Sequence, residues 1–95
     1  MDAEKSQEFY DRLKEQLLEN SSWPSKYLYK FIVPTNTNKI ERIIGIFDNI
    51  GAVIDSKQSK KGTYTSVSIT VTLENPDAVI EKYKEVSKVE GVISL

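Results

Sequence analysis

The side chains best suited to binding a charged or polar partner lie in one stretch, residues 56–73. It contains Lys57, Lys60 and Lys61 and no acidic residue. Lysine attracts anions, hydroxyl groups donate and accept hydrogen bonds, and a tyrosine ring offers apolar area beside a polar tip. We therefore predict an interaction surface here, completed by a lysine from a neighbouring strand. Its predicted members are Lys30, Lys57, Lys60, Lys61, Tyr64, Ser66 and Ser68.

A second candidate site is a polar loop directly before a predicted helix. The loop consists of Thr35, Asn36, Thr37 and Asn38. Free N–H groups at a helix start can receive a carboxylate, as in a site for an amino-acid-like ligand. Capping explains the loop more simply, because Asn38 with Glu41 three positions later approximates a capping box. We therefore favour capping over ligand binding.

Catalysis is the function class that the sequence supports least. The chain contains no His and no Cys, which removes the commonest acid–base residue, thiolate chemistry and soft-metal sites. Glu74 and Asp77 are close in sequence, but they stand at a predicted helix start, where the helix dipole alone favours acidic residues. We predict no catalytic residue, no metal site and no cofactor.

Composition narrows the classes of partner. The 95 residues, 39% hydrophobic and 28% charged, are typical of one globular domain. A net charge of -1 does not favour nucleic acid or an anionic membrane. The N-terminus is polar and no stretch approaches the length of a membrane span, so we expect a cytoplasmic protein. We expect a monomer or weak homodimer that binds a protein, with a small molecule as the alternative ligand.

Hydrophobic periodicity predicts three helices and four strands. Val67 and Ile69 alternate with Ser66 and Ser68, as in a half-buried strand. A β-turn over residues 60–63 leads into this strand. The predicted elements are a helix over Ser6–Glu19, a strand over Lys26–Val33, a helix over Lys39–Ile50, a strand over Ala52–Ser59, the long strand ending at Leu73, a helix after Asn75 and a strand over Val89–Leu95.

Capping residues and apolar stripes define the helices. Ser6 is the expected N-cap of the first helix, Gly51 ends the second in left-handed geometry, and Asn75 caps the third with Pro76 at its first position. The predicted core faces are Ile40, Ile43, Ile44, Phe47 and Ile50 in the second helix and Val79, Ile80, Tyr83 and Val86 in the third.

After the first helix the order is β-α-β-β-α-β. With right-handed crossovers it predicts an α+β ferredoxin-like plait, a four-stranded antiparallel sheet with two helices on one face. We predict one domain over residues 1–95, with an additional N-terminal helix and connector over 1–25 and the core over 26–95. The other sheet face is either solvated or partly roofed by Phe9, Leu13 and Leu17 of the first helix.

RNA binding is disfavoured although RNA-recognition motifs share this fold. Lys61-Gly62 matches the start of the RNA-binding signature on the third strand. Thr63 and Thr65 occupy the positions where that signature has aromatic residues, and Tyr64 faces the other way. The negative net charge of the chain also disfavours RNA binding.

Residues 59–71, SKKGTYTSVSITV, carry a family resemblance. They are similar to the S-x-K-G-x-Y-x-S-V-S-I-T signature of the YbeD-like family of small bacterial proteins, and residues 29–33 and 79–86 resemble its first strand and last helix. The resemblance implies a ferredoxin-like plait similar to regulatory domains of the ACT kind, without an established activity. The helix predicted over 6–19 is longer than the segment that precedes the family's first strand.

Two hypotheses for function remain open. The first is a protein-binding adaptor that uses the exposed strand edge or the sheet face around residues 60–68. The second is a small-molecule sensor of the ACT kind, acting as a dimer. Such sensors commonly bind their ligand at a glycine-containing loop after the first strand, whereas residues 34–38 contain no glycine. A sensor would be stabilised by its metabolite, and an adaptor would not.

Overall fold

A computed structural model of the chain describes residues 3–94, with side chains from residue 7 onward. The elements are α1 (Ala3–Asn20), β1 (Ser25–Pro34), α2 (Thr37–Ile46), β2 (Val53–Gln58), β3 (Tyr64–Leu73), α3 (Pro76–Ser87) and β4 (Ile93–Ser94). The strands form one antiparallel sheet in the order β2-β3-β1-β4. This confirms the predicted α+β ferredoxin-like plait with β1 and β3 in the centre. Within residues 3–94, no helix combines the length and the apolar character that crossing a bilayer requires.

The sheet is built on β1 and β3, which pair from Ser25 opposite Leu73 to Pro34 opposite Tyr64. Odd-numbered residues of both strands face the helices, so a slip of one residue would turn the apolar face towards water. The core cluster comprises Tyr29, Phe31, Val33, Ile43, Phe47, Val67, Ile69, Val71, Leu73, Val79, Tyr83, Val86 and Val89. Full burial of a large apolar side chain stabilises the fold by about 1.5–3 kcal/mol.

Helix α3 forms as the sequence predicts. Asn75 has extended backbone geometry, and its side-chain oxygen accepts a hydrogen bond from the N–H of Ala78 at 2.8 Å. Pro76 stands at the first helical position, where its missing N–H costs no hydrogen bond. The four predicted core residues of α3 are all buried. Local signals and tertiary packing agree in this helix.

Helix α2 begins two residues before the predicted start at Lys39. Its N-cap is Asn36, whose side-chain oxygen accepts a hydrogen bond from the N–H of Lys39 at 3.1 Å. Asn38 lies within the first turn, so the predicted capping box with Glu41 is wrong. The neighbouring Thr35 explains the choice, because its N–H donates to the carbonyl of Thr63 at 2.9 Å and holds the chain extended up to the cap.

Replacing Asn36 by alanine is expected to lower the free energy of unfolding by about 1 kcal/mol, because a helix N–H loses its acceptor. Asn38→Ala is the matched control, since it removes the same side chain two residues later. We expect the control to lie within about 0.5 kcal/mol of wild type. Urea unfolding of both variants measures the difference, and equal losses would contradict the assignment of Asn36 as N-cap.

Helix α2 ends at Ile46, four residues before the predicted end at Ile50. The ammonium group of Lys82 donates a hydrogen bond to the carbonyl of Ile46 at 2.7 Å and lies 5.8 Å from the centre of the Phe47 ring. A cation at this position donates a hydrogen bond to a carbonyl that the helix leaves free, and it interacts favourably with the negative end of the helix dipole. The chain then turns away, which leaves Ile50 exposed, and Ile44 is exposed within the helix itself. The predicted core positions of both residues are wrong.

The hairpin between β2 and β3 turns one residue earlier than predicted. The N–H of Gly62 donates to the carbonyl of Ser59 at 2.9 Å, which closes the turn over residues 59–62 rather than 60–63. Gly62 has a φ of 72°, where a side chain is disfavoured. The N–H of Ser59 donates to the carbonyl of Tyr64 at 2.8 Å and completes the hairpin.

Helix α1 lies on the helix side of the molecule, against α3. Lys14 and Asp77 form a 2.9 Å ion pair, and the ammonium group of Lys84 lies 5.5 Å from the centre of the Tyr10 ring. Leu13 and Leu17 pack against the core cluster and do not roof the open sheet face, which was one of the two alternatives for that face. Ser6 falls inside the helix, which begins at Ala3, and so is not its N-cap.

The last strand is shorter than the predicted Val89–Leu95. β4 contains only Ile93 and Ser94, which pair with Ile32 and Phe31. Leu95 lies outside the described residues, and Val89 is buried before the strand begins. Between them Gly91 has a φ of 81° and lies against the Pro34 ring.

Candidate functional site

The sheet face opposite the helices is named here the outer face. Register places Asp55, Ser68 and Lys30 in one row across the sheet, and Lys57, Ser66 and Ile32 in the next. Five of the seven predicted interaction residues therefore share this face. The outer face consists of Lys26, Leu28, Lys30, Ile32, Val53, Asp55, Lys57, Tyr64, Ser66, Ser68, Thr70, Thr72 and Ile93.

Small hydroxyl side chains make the centre of the outer face lower than its sides. Between residues 66 and 72, the side chains that β3 turns to the outer face are all serine or threonine. Both neighbouring strands contribute longer side chains to this face. Because β1 and β2 each lie about 4.8 Å from β3, the two walls stand about 10 Å apart. The groove, as we name it, has a floor of Ser66, Ser68 and Thr70 and walls of Leu28, Lys30, Ile32, Val53, Asp55 and Lys57.

Two adjoining depressions lie at the hairpin end of the outer face. The first has a volume of about 360 Å³ and is lined by Lys30, Asp55, Ser56, Lys57, Ser66 and Ser68. The second has a volume of about 390 Å³, and its lining comprises Ile32, Lys57, Gln58, Ser59, Lys60, Tyr64 and Ser66. Lys57 and Ser66 belong to both, so the depressions form one continuous surface.

The exposed apolar side chains of the outer face were not predicted from the sequence. Leu28 is 61% exposed, Val53 70% and Ile93 53%, and Tyr64 beside the second depression is 48% exposed. The alternation within β1 holds a signal for Leu28, because a residue between Tyr27 and Tyr29 must point away from the core. Val53, at the start of β2, faces outward opposite Thr70.

The two remaining lysines of the predicted surface lie in the hairpin loop. Lys60 lines the second depression, whereas Lys61 does not line either one. Both side chains are exposed. The structure thus brings six of the seven predicted residues to the two depressions and leaves Lys61 at the hairpin tip.

The predicted ligand loop has structural roles. Asn36 caps α2, and the hydroxyl groups of Thr35 and Thr65 lie 2.9 Å apart in a hydrogen bond. Thr65 is buried, so this bond satisfies a hydroxyl that the core would otherwise isolate. Thr37 and Asn38 are exposed residues of the first turn of α2. These contacts agree with the preference for capping over ligand binding.

A cluster of tyrosines on the other side of the sheet is structural. The hydroxyl of Tyr29 donates to the carbonyl of Val79 at 2.9 Å, and the hydroxyls of Tyr27 and Tyr83 lie 2.7 Å apart. Burial raises the pKa of Tyr29 far above its ordinary value. Burial also raises the pKa of Tyr83, and its hydrogen bond with Tyr27 raises it further. Both phenols therefore stay neutral in the folded protein.

The described residues offer little for metal or covalent chemistry. Within residues 7–94, the acidic side chains do not gather in any group of three that could hold a metal ion. The hydroxyl of Ser66 donates to the carbonyl of Lys57 at 3.3 Å, so it is engaged with the backbone of β2 rather than with a carboxylate base. The outer face can supply lysine charge, hydroxyl groups and apolar contact area.

Comparison with known families gives a match over most of the chain. A family model described as "Protein of unknown function (DUF493)" matches residues 19–95. A UPF0250 protein of Haemophilus influenzae is 61% identical over 36 residues, which are 38% of this chain and 39% of the relative. The aligned part thus spans well under half the length of that relative. A UPF0250 protein of Shewanella woodyi is 29% identical over 73 residues, covering 74% of this chain and 83% of the relative.

Solved structures confirm the fold. The solution structure of protein HP0495 from H. pylori superposes with a TM-score of 0.64 at 18% identity, covering 80% of this chain and 86% of that one. The ACT domain from GTP pyrophosphokinase of Chlorobium tepidum gives a TM-score of 0.51 at 16% identity, covering 74% of this chain and 86% of that one. At these identities the likeness is one of fold.

Proposed function

Since the chain belongs to the DUF493 family of proteins of unknown function, we propose a function from its own surface. It is a non-enzymatic interaction module that binds a protein partner through the outer face. The observation that carries this proposal is the exposure of Leu28, Val53 and Ile93 on a sheet face that the helices of the chain leave open. Leu28 and Val53 stand on either side of Thr70 in one row, and Ile93 lies beside Ile32. Exposed apolar area rimmed by polar residues is typical of interaction surfaces.

The chemistry of the outer face supports a binding role over a catalytic one. The chain has no His or Cys, and the hydroxyl of Ser66 is bonded to a backbone carbonyl. Activating a serine or lysine requires a base or a desolvated pocket. Lys30, Lys57 and Lys60 are instead exposed, as expected of residues that contact a partner.

Sensing of an amino-acid-like ligand is the alternative. It rests on the fold shared with the ACT domain, and fold alone does not fix function. The loop after β1, which such a ligand would contact, is occupied by the Asn36 cap and the Thr35 bonds. We therefore place sensing second.

Site-specific photo-crosslinking in the source organism tests the proposal. A benzophenone amino acid replaces Leu28 on the outer face and, as the matched control, Ile44, an exposed apolar residue of α2. We expect one discrete protein adduct from position 28 and none from position 44. Val53→Glu, which places a charge opposite Thr70, should abolish that adduct.

Two results would contradict this function. One is an adduct from position 44 that position 28 does not give, since it would move the binding surface to the helix side. The other is stabilisation of the purified protein by free amino acids, about 2.7 kcal/mol at a hundredfold excess over the dissociation constant, which would favour sensing.

A further inference from the structure

Charge is unevenly divided between the three long strands with their hairpin loop and the rest of the chain. The three long strands and the hairpin loop, residues 25–34 and 53–73, contain five lysines and one acidic residue, a net charge of +4. The whole chain carries -1, so the remaining residues carry -5. Such a division produces a positive field at the sheet although the molecule is acidic. A partner that approaches the outer face meets several lysines and one carboxylate, that of Asp55.

The charged and apolar residues alternate along the walls of the groove. On β1, Lys30 stands between Leu28 and Ile32, and on β2 the order is Val53, Asp55 and Lys57. Asp55, the one acidic residue here, lies in the row of Lys30 and Ser68. An occupant therefore meets apolar side chains at both ends, Lys30 and Asp55 in the middle row, and Lys57 and Lys60 towards the hairpin.

We infer that the occupant of the groove is an acidic polypeptide segment that also carries apolar side chains. Its carboxylates pair with Lys30, Lys57 and Lys60, and its apolar side chains contact Leu28 with Val53 at one end and Ile32 with Tyr64 at the other. This inference rests on the proposed function and adds the chemistry of the partner. Walls whose backbones are about 10 Å apart leave room for one extended strand, whereas a helix with its side chains is as wide as that spacing.

A nucleic acid fits the same field less well. Single strands bind through bases stacked on successive aromatic side chains, and the outer face offers one aromatic ring, Tyr64. The groove walls present Leu28, Ile32 and Val53 where a nucleic acid would need cations or rings. Apolar walls and lysines together match a polypeptide that has leucine-like and carboxylate side chains.

Titration of isotope-labelled protein, followed by amide NMR, tests the inference. The probe is a synthetic amphipathic peptide of leucine and glutamate, and its counterpart has every glutamate replaced by lysine. We expect the glutamate peptide to shift the amides of Lys30, Lys57, Tyr64, Ser66 and Ser68, and the lysine peptide to shift none of them. Raising the salt concentration should weaken the binding, because exposed charge pairs are screened.

Charge reversal identifies the lysines involved. The double variant Lys57→Glu, Lys60→Glu should bind the glutamate peptide about tenfold more weakly. Arg12→Glu with Arg42→Glu is the matched control, because it changes the net charge equally at exposed positions on α1 and α2. We expect the control to retain wild-type affinity. Equal weakening by both variants would overturn the inference.

The other outcomes separate the inference from the proposed function. Shifts on the outer face from both peptides would overturn the acidic partner and leave the outer face as an apolar protein-binding surface. Shifts confined to the helix side would overturn both. Absence of shifts, or binding of a single-stranded oligonucleotide in place of the peptide, would overturn the inference, while the crosslink from position 28 would still report on the proposed function.

Discussion

Between pH 10 and pH 12 the protein is expected to lose about 5 kcal/mol of stability through Tyr29 and Tyr83 alone. An unfolded tyrosine releases its proton near pH 10, whereas burial keeps both phenols protonated in the folded state. Each phenol has a higher pKa in the folded than in the unfolded state. Its contribution to stability is therefore complete below the unfolded pKa and is lost as the pH rises towards the folded pKa. The slope is about 1.4 kcal/mol per pH unit for each tyrosine.

Urea unfolding at closely spaced pH values above 9 measures this loss. Tyr83→Phe removes one ionisable group, so its slope should be smaller than that of wild type by about 1.4 kcal/mol per pH unit. Val71→Ala, which is expected to destabilise the core at every pH without removing a titrating group, is the control for lowered stability. If Tyr83→Phe keeps the wild-type slope of stability against pH, the phenol of Tyr83 ionises at the same pH in the folded and unfolded states.

Substitution of Gly91 by alanine is expected to lower the free energy of unfolding by about 2–4 kcal/mol. At a φ of 81° any side chain is strained, and a β-carbon would lie 3.1 Å from Cγ and 3.2 Å from Cδ of Pro34. Pro34 is the last residue of β1, so the ring cannot retreat without disturbing the end of the central strand. The cost combines backbone strain with a displaced contact.

Gly51→Ala separates the cost of backbone strain from the cost of the displaced contact. Gly51 has a similar φ of 74°, but a β-carbon there would meet no atom within 4 Å. We expect this variant to lose about 1–2 kcal/mol, the backbone term alone. Thermal unfolding of the pair gives the difference, and a loss at Gly91 no greater than the loss at Gly51 would show that the Pro34 contact relaxes freely.

The fold was predictable because its strongest signals are local and unambiguous. The sequence Asn75-Pro76 predicts a single start for α3. The strict alternation of apolar and polar residues in β3 determines which of its faces is buried. The start of α2 was not predictable in the same way, because Asn36 and Asn38 both satisfy the local rule for an N-cap. The bond from Thr35 to Thr63, a contact between distant segments, places the cap at Asn36.

The candidate site was predictable where alternation and pairing suffice. Tyr64, Ser66 and Ser68 follow from the pleat, and Lys30 follows once β1 is paired with β3. Leu28 and Ile32 were missed because apolar residues on both faces of a strand normally indicate burial on both sides. The resemblance to the YbeD-like family is confirmed by the family match, and it identifies a fold without identifying a partner.

The position of β1 in the sheet also determines the order of events when the chain is made. Pro34 pairs with Tyr64, thirty positions later, and Phe31 pairs with Ser94 near the end of the described residues. Only β2 and β3 form a local hairpin, so folding depends on closing long loops around β1. Synthesis proceeds at about 5–20 residues per second, so β1 emerges seconds before its partner. During that interval the aromatic face of β1 has no sheet to join and stays exposed to water.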